Sequence, residues 1–281
     1  MIWREASTAW DNAVKCIEAG DEPADAPIRF KPLRIRRANT PILVTGRPGA
    51  GKSALYGALT GEVGLGYRTD MSPDWERHRV MLKTRGRRTR AAVIVVPGQV
   101  SEERTRALDH TLRKGHAPEG LIHVVCWGYN RLWSDAADGT VRELGTTNSW
   151  ADNENLRETL LSYERDDFAE MCSLIRGEQV RRRLKWMIIV VAKADLYWER
   201  HAEVRDYYLP GGNDHSRFAD ILGGLVAGER TLPPRIAIVP FAGHPQAHTY
   251  AHDLYRTPAN LDLVQATALR NNLYDVLEGM L

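Results

Sequence analysis

Cysteine is scarce in this chain, and the spacing of the few present suggests no pairing. Cys16, Cys126 and Cys172 lie far apart and are odd in number, which excludes a disulfide-stapled secreted scaffold and points to reduced thiols in a cytoplasmic protein. Cys126 sits in the apolar run Val124-Val125-Cys126-Trp127, the setting of a buried, inert thiol. Long hydrophobic runs are also missing. The longest fall far short of the roughly 20 residues that cross a bilayer, and no signal-peptide pattern opens the chain. Charge of one sign is missing too: 38 Lys and Arg against 36 Asp and Glu leave +2, which selects no class of partner. There is no internal repeat and no low-complexity tract. What remains is 281 residues with 43% hydrophobic and 26% charged content. These are globular values, enough for one large α/β domain or an ordinary domain with additions.

The chain is organised around Gly46, Arg47, Pro48, Gly49, Ala50, Gly51, Lys52 and Ser53, which follow the apolar run Pro41-Ile42-Leu43-Val44-Thr45. They match G-x-x-x-x-G-K-[ST]. Such a loop wraps backbone N–H groups around phosphate oxygens, and glycine permits positive φ and close approach. Lys52 would reach the β- and γ-phosphates and the Ser53 hydroxyl would hold Mg²⁺. From Ala54 the sequence starts a helix whose positive dipole end also favours an anion.

Before that loop, residues 2–19 read as an amphipathic helix ended by Gly20. The favoured account packs it on the domain. A membrane-surface helix is disfavoured by its acidic polar face, Glu5, Asp11 and Glu18. Residues 21–27 read as a linker and 28–37 as an extended basic segment, so 1–40 precedes a nucleotide domain over 41–281. Within that domain, 61–74 is a glycine-rich polar loop. Arg79 to Thr84 and Ala91 to Val96 are strands joined tightly enough to pair antiparallel. Ser101 caps a helix to about Lys114. Leu121 to Trp127 is a buried strand, and 128–185 an extended loop and helical insertion with Ala151 to Arg183 as one long helical stretch. Trp186 to Ala192 and Arg235 to Val239 are strands. Leu196 to Tyr208, Arg217 to Ala227 and Ala259 to Met280 are helical. Strands separated by helices predict a doubly wound, mainly parallel sheet with ligands at the carboxyl ends of its strands.

Each later strand ends on a candidate nucleotide contact. The Ala91 to Val96 strand runs into Pro97-Gly98-Gln99, where the Gly98 N–H could approach a γ-phosphate and Gln99 orient an attacking water. The Trp186 to Ala192 strand runs into Lys193-Ala194-Asp195, where the carboxylate could accept from the N1–H and exocyclic amine of guanine while Lys193 lies along the base. The last runs into Phe241-Ala242-Gly243, where the Ala242 N–H could donate to the guanine carbonyl. Thr69, in the 61–74 loop, could reach the metal when a γ-phosphate is present.

Together GRPGAGKS, PGQ, AKAD and PFAG resemble the P-loop GTPase superfamily of the Ras-like kind, over roughly residues 40–280. The segment Val96-Pro97-Gly98-Gln99-Val100 is similar to the V-P-G-Q switch of bacterial gliding-motility and cell-polarity small GTPases. The resemblance implies a Ras-like G domain that binds GTP and GDP with Mg²⁺. It implies slow hydrolysis awaiting a protein partner, and a nucleotide-dependent switch. Residue by residue it makes Lys52 and Ser53 the phosphate and Mg²⁺ ligands, Thr69 the switch-one threonine, Gln99 the water-orienting residue and Asp195 the guanine reader.

Three departures stand out. Val95 occupies the Asp position of D-x-x-G, removing an outer-shell magnesium partner, although the gliding-type relatives also lack it. Ala192 occupies the Asn position of N-K-x-D, and Pro48 replaces a loop glycine and removes an N–H. Val95 and Pro48 motivate one alternative, a nucleotide-dependent scaffold with little or no turnover, for which the insert from Asn130 to Arg183 would supply partner surface. A further alternative is an ATPase or a phosphotransferase, although the sequence supplies no kinase acceptor site or lid. Arg47 and Arg68 read either as an arginine finger in cis or as solvated or paired side chains. Arg85, Arg87, Arg88 and Arg90 read as solubilising surface or an acidic-partner site, with no interleaved aromatics for nucleic acid. His244, His248 and His252 recur every four residues, which on a helix could hold Zn²⁺. Pro245 favours an irregular segment instead.

Overall fold

The computed structural model describes residues 2–20, 40–60, 76–83, 88–97, 102–112, 117–130, 150–211, 216–227, 235–250 and 255–281. Strand β1 is Thr40–Gly46 and the helix after it, α2, is Lys52–Thr60. The helix α1, Ile2–Glu18, precedes both. Strands β2, Glu76–Lys83, and β3, Arg88–Val95, follow, then α3, Glu102–Leu112, and β4, Gly120–Val125. Helix α4 is Trp150–Ile175 and α5 is Glu178–Arg183. Strand β5, Trp186–Val191, leads into the short helix α6, Ala194–Tyr197, a 3₁₀ turn, and α7, His201–Tyr208. Helix α8, Arg217–Val226, strand β6, Arg235–Pro240, a small hairpin of β7, His248–Tyr250, and β8, Tyr255–Thr257, and helix α9, Leu263–Met280, complete the chain.

Six strands form one sheet in the order β2-β3-β1-β4-β5-β6. β3, β1, β4, β5 and β6 are mutually parallel, with Leu43 opposite Ile94 on one side and Leu121 on the other. β2 alone is antiparallel, Val80 facing Ala91, as the tight β2–β3 connection predicts. The α/β architecture and mainly parallel sheet therefore match the sequence expectation, and the arrangement is compatible with a doubly wound fold. Every residue of β4 and β5 is buried, as a sheet covered on both faces requires. β1 lies between β3 and β4, the position in an open α/β sheet at whose carboxyl end ligands bind.

Helix α1 packs on β6 and α9. Its Ala6, Ala9, Trp10 and Ala13 are buried, and Asn272 Nδ2 donates to the Ala9 carbonyl at 2.9 Å. The packed-helix account holds. No helix among the described residues is long and apolar enough to cross a membrane.

Several boundaries differ from the sequence reading. The long stretch over 151–183 is two helices, because Gly177 closes the first with its N–H on the Leu174 carbonyl. The last helix begins at Leu263 rather than 259. A reciprocal capping box, Gln265 N to Asp262 Oδ1 at 2.8 Å and Asp262 N to Gln265 Oε1 at 3.0 Å, sets its start. The 196–208 segment is three short pieces, and Arg88 and Arg90 lie in β3 rather than in the turn. His248 begins the β7 strand, so the three histidines do not share a helical face. His244 sits in an exposed bend, and no group of three metal-ligating side chains occurs among the described residues. The 28–37 segment, the 61–74 loop, Arg68, Thr69, Arg85, Arg87, Gly98, Gln99, Ser101 and His252 lie outside the described residues.

Candidate functional site

The glycine-rich loop 46–53 leaves β1 at Gly46, whose φ is +135°. A Cβ there would stand 2.2 Å from the Val124 carbonyl oxygen, so β4 admits only glycine. Gly49 and Gly51 also carry positive φ, 69° and 108°. This left-handed backbone turns successive N–H groups into one concavity. Lys52 opens α2, and its Nζ donates to the carbonyls of Gly46 at 2.8 Å and Arg47 at 2.9 Å. Burial lowers its pKa to about 8, partly opposed by the Asp167 carboxylate. The Ser53 side chain is exposed at the helix start. Arg47 places its guanidinium over the Tyr163 ring, 5.1 Å from the centroid, a cation–π contact.

At the end of β5, Lys193 adopts the left-handed conformation, φ 59° and ψ 37°. Its ammonium donates to the Tyr129 carbonyl. Asp195 is buried, and its carboxylate Oδ2 accepts weakly from Gln246 N at 3.4 Å. Burial raises the pKa of that carboxyl, with the Gln246 contact opposing. Main-chain bonds fix the loop: Ala194 N to the Phe241 carbonyl at 3.0 Å and Asn260 N to the Asp195 carbonyl at 2.6 Å. Ala242 is fully buried beside them. The two halves of the site abut. A Cβ on Gly243 would lie 3.2 Å from Ala54 Cβ, and one on Gly51 3.2 Å from Ala192 Cβ. The structure thus gathers Gly46 to Ala54, Lys193, Asp195 and Ala242 at the carboxyl ends of β1, β5 and β6. Thr69, Gly98 and Gln99 lie outside the described residues. Val95 ends β3, half-buried.

A Mg²⁺ ion keeps most of its shell as water and phosphate oxygen and needs only one or two protein ligands. The exposed Ser53 hydroxyl fits that requirement. Val95 offers nothing to an outer shell.

Sequence reasoning missed two buried polar groups beneath these loops. Glu164 of α4 accepts from Cys126 N at 3.0 Å, Gly128 N at 3.4 Å and the Tyr208 hydroxyl at 3.0 Å. Burial raises its pKa. The Cys126 thiol, also on Glu164 at 3.1 Å, is pushed up by burial as well, which agrees with an inert thiol. Nearer β1, Thr45 Oγ1 lies 2.9 Å from His123 Nδ1, and Arg104 of α3 pairs with Asp167 of α4. Burial pushes His123 down to about 4, against the opposing pull of Asp167, so the ring is neutral at pH 7. One signal was available: Arg157, Glu164 and Asp167 recur at helical spacing among Leu160, Phe168 and Met171, charges on an apolar stripe. No family model matches the chain, and no curated protein matches it significantly.

Proposed function

We propose that the chain is a P-loop protein of the Ras-like kind that binds GTP and GDP with Mg²⁺, hydrolyses GTP slowly and acts as a nucleotide-dependent switch. The observation that carries this reading is the loop 46–53, with three glycines at positive φ and Lys52 Nζ held on the Gly46 and Arg47 carbonyls. An ammonium bonded to the mouth of its own loop needs only a small swing to meet phosphate oxygens. The strand order and the abutting 193–195 and 241–243 loops support it.

In this reading Lys52 balances β- and γ-phosphate charge while the loop N–H groups and the α2 terminus bind their oxygens. Bound through Ser53, Mg²⁺ would supply charge neutralisation for the developing leaving group. Asp195 accepts from the two guanine donors, giving up its contact to Gln246 N. Gln99 orients the attacking water, and Thr69 and Gly98 answer to the γ-phosphate. A protein effector or activating partner would read loops 61–74 and 97–99 in the triphosphate state. Val95 favours a second reading, a nucleotide-dependent scaffold with little turnover.

Binding and turnover of GTP and ATP by wild type and three variants test these readings. Lys52→Ala should lose about a hundredfold in nucleotide affinity, the worth of two charge-assisted hydrogen bonds. Asp195→Asn should weaken guanine and shift preference among purines. Gln99→Leu should lower turnover without weakening binding, and equal rates would remove Gln99 from the mechanism. Tight GTP binding without phosphate release over hours would select the scaffold, and preferential ATP binding an ATPase. Absence of any guanine-nucleotide binding with Mg²⁺ would sink the proposal.

A further inference from the structure

We propose that Asn130 is a positioning residue that aims the phosphate loop from the strand next door; this rests on the nucleotide-binding reading above. Asn130 lies just past β4, buried, and its Nδ2 donates to the Pro48 carbonyl at 3.2 Å. Its neighbour Tyr129 accepts from Lys193 Nζ. Two successive residues therefore hold the phosphate loop and the 193–195 loop together. Ala192 brings only a methyl group to Gly51, so the amide that grips the phosphate loop comes from the segment that follows β4.

The grip acts on one peptide plane. The Pro48 carbonyl and the Gly49 N–H belong to the same trans peptide unit and point in opposite directions. Fixing the carbonyl on Asn130 aims the Gly49 N–H into the concavity of the loop. Pro48 has no N–H of its own, so the carbonyl is the handle the loop offers here.

The stretch 126–130 is stiff enough for this task. Glu164 accepts from two of its N–H groups, and the Tyr208 hydroxyl accepts from Trp127 N at 3.0 Å. The guanidinium groups of Arg157 and Arg200 stand over the Trp127 ring at 4.2 and 4.4 Å. A packing role alone does not account for Asn130. Its Oδ1 is buried with no hydrogen-bond partner among the described residues, a cost an apolar side chain would avoid. Turning the amide over would set two oxygens face to face, so Pro48 dictates its orientation.

The test uses the full chain, with wild type, Lys52→Ala, Asp195→Asn and Asn130→Ala in parallel. Dissociation of a fluorescent GDP should be about tenfold faster in Asn130→Ala, roughly the entropic cost of ordering one freed backbone residue on binding. GDP and inosine diphosphate affinities should fall by the same factor, because the defect lies at the phosphates, whereas Asp195→Asn should change their ratio. The melting temperature without nucleotide should fall by no more than about 4 °C, and amide hydrogen exchange over 46–51 should accelerate. Wild-type GDP binding with an Asn130→Ala dissociation rate equal to wild type overturns the inference and leaves the nucleotide reading standing. If wild type binds no GDP, the nucleotide reading falls, and unchanged exchange over 46–51 then overturns the grip as well. Should Asn130→Ala fail to fold, the isosteric Asn130→Asp, which faces Pro48 with oxygen only, must show at least the same loss.

Discussion

The Lys52 ammonium donates to the carbonyls of Gly46 and Arg47, which hold it at the mouth of the 46–53 loop. Burial takes its pKa from 10.5 to about 8. Between those values the unfolded chain binds more protons at this site than the folded one, so its contribution to stability rises with pH. Below pH 8 the penalty is fully present. The stability of wild type minus that of Lys52→Met, measured by urea unfolding without nucleotide, should increase from pH 8 to 10.5. A difference flat across that window would show that Lys52 is not held charged against its surroundings. Tyrosines and cysteines titrating nearby cancel in the difference between variants. Bound GDP should move the rise to higher pH, because phosphate favours the charged amine. At this scale the sequence was most legible where chemistry is local. The glycines and lysine of 46–53 act through main-chain φ and a fixed spacing, which covalent order alone conveys. Asn130 acts on Pro48 from 82 positions away, and no local pattern signals it.

Helix α4 was legible as a helix but not for what it carries. Read from its sequence, it belongs to an insertion offering surface to partners. In the structure it places Glu164 against the turn after β4 and Asp167 against Arg104 of α3. Glu164 joins the turn after β4 to Tyr208 on α7. Replacing it by alanine leaves buried donors without an acceptor and opens a cavity, a loss of about 3 kcal/mol. Glu164→Gln keeps an acceptor for Cys126 N and Gly128 N and should cost about 1 kcal/mol or less. Denaturant midpoints of the two variants measure the gap, and equal losses would show that the side chain only fills space. The raised carboxyl pKa sets the sign of the pH effect. The folded state holds the Glu164 proton above its usual range, so this residue's contribution falls as pH rises through that window. In Glu164→Gln that fall should vanish.

Taken whole, the molecule joins its two ends. Helix α1 lies against β6 and α9, with Trp10 1% exposed. Trp10→Ala should cost about 3–5 kcal/mol in urea unfolding. An unchanged midpoint would mean that residues 2–20 contribute nothing to the core.

By itself the sequence determined the periods of its elements, the alternation of strand and helix and the glycine turns of residues 46–53, because these depend on near neighbours in the chain. Hydrophobic runs of six residues announced buried strands, and glycine spacing announced the tight loop between β1 and α2. Only the tertiary structure decided that β1 stands between β3 and β4, that Glu164 and Asn130 reach beneath the loops, and that α1 closes on α9. Those contacts join residues tens to hundreds of positions apart. Burying a charge or an amide there is tolerable only once partners from other elements arrive to share its protons.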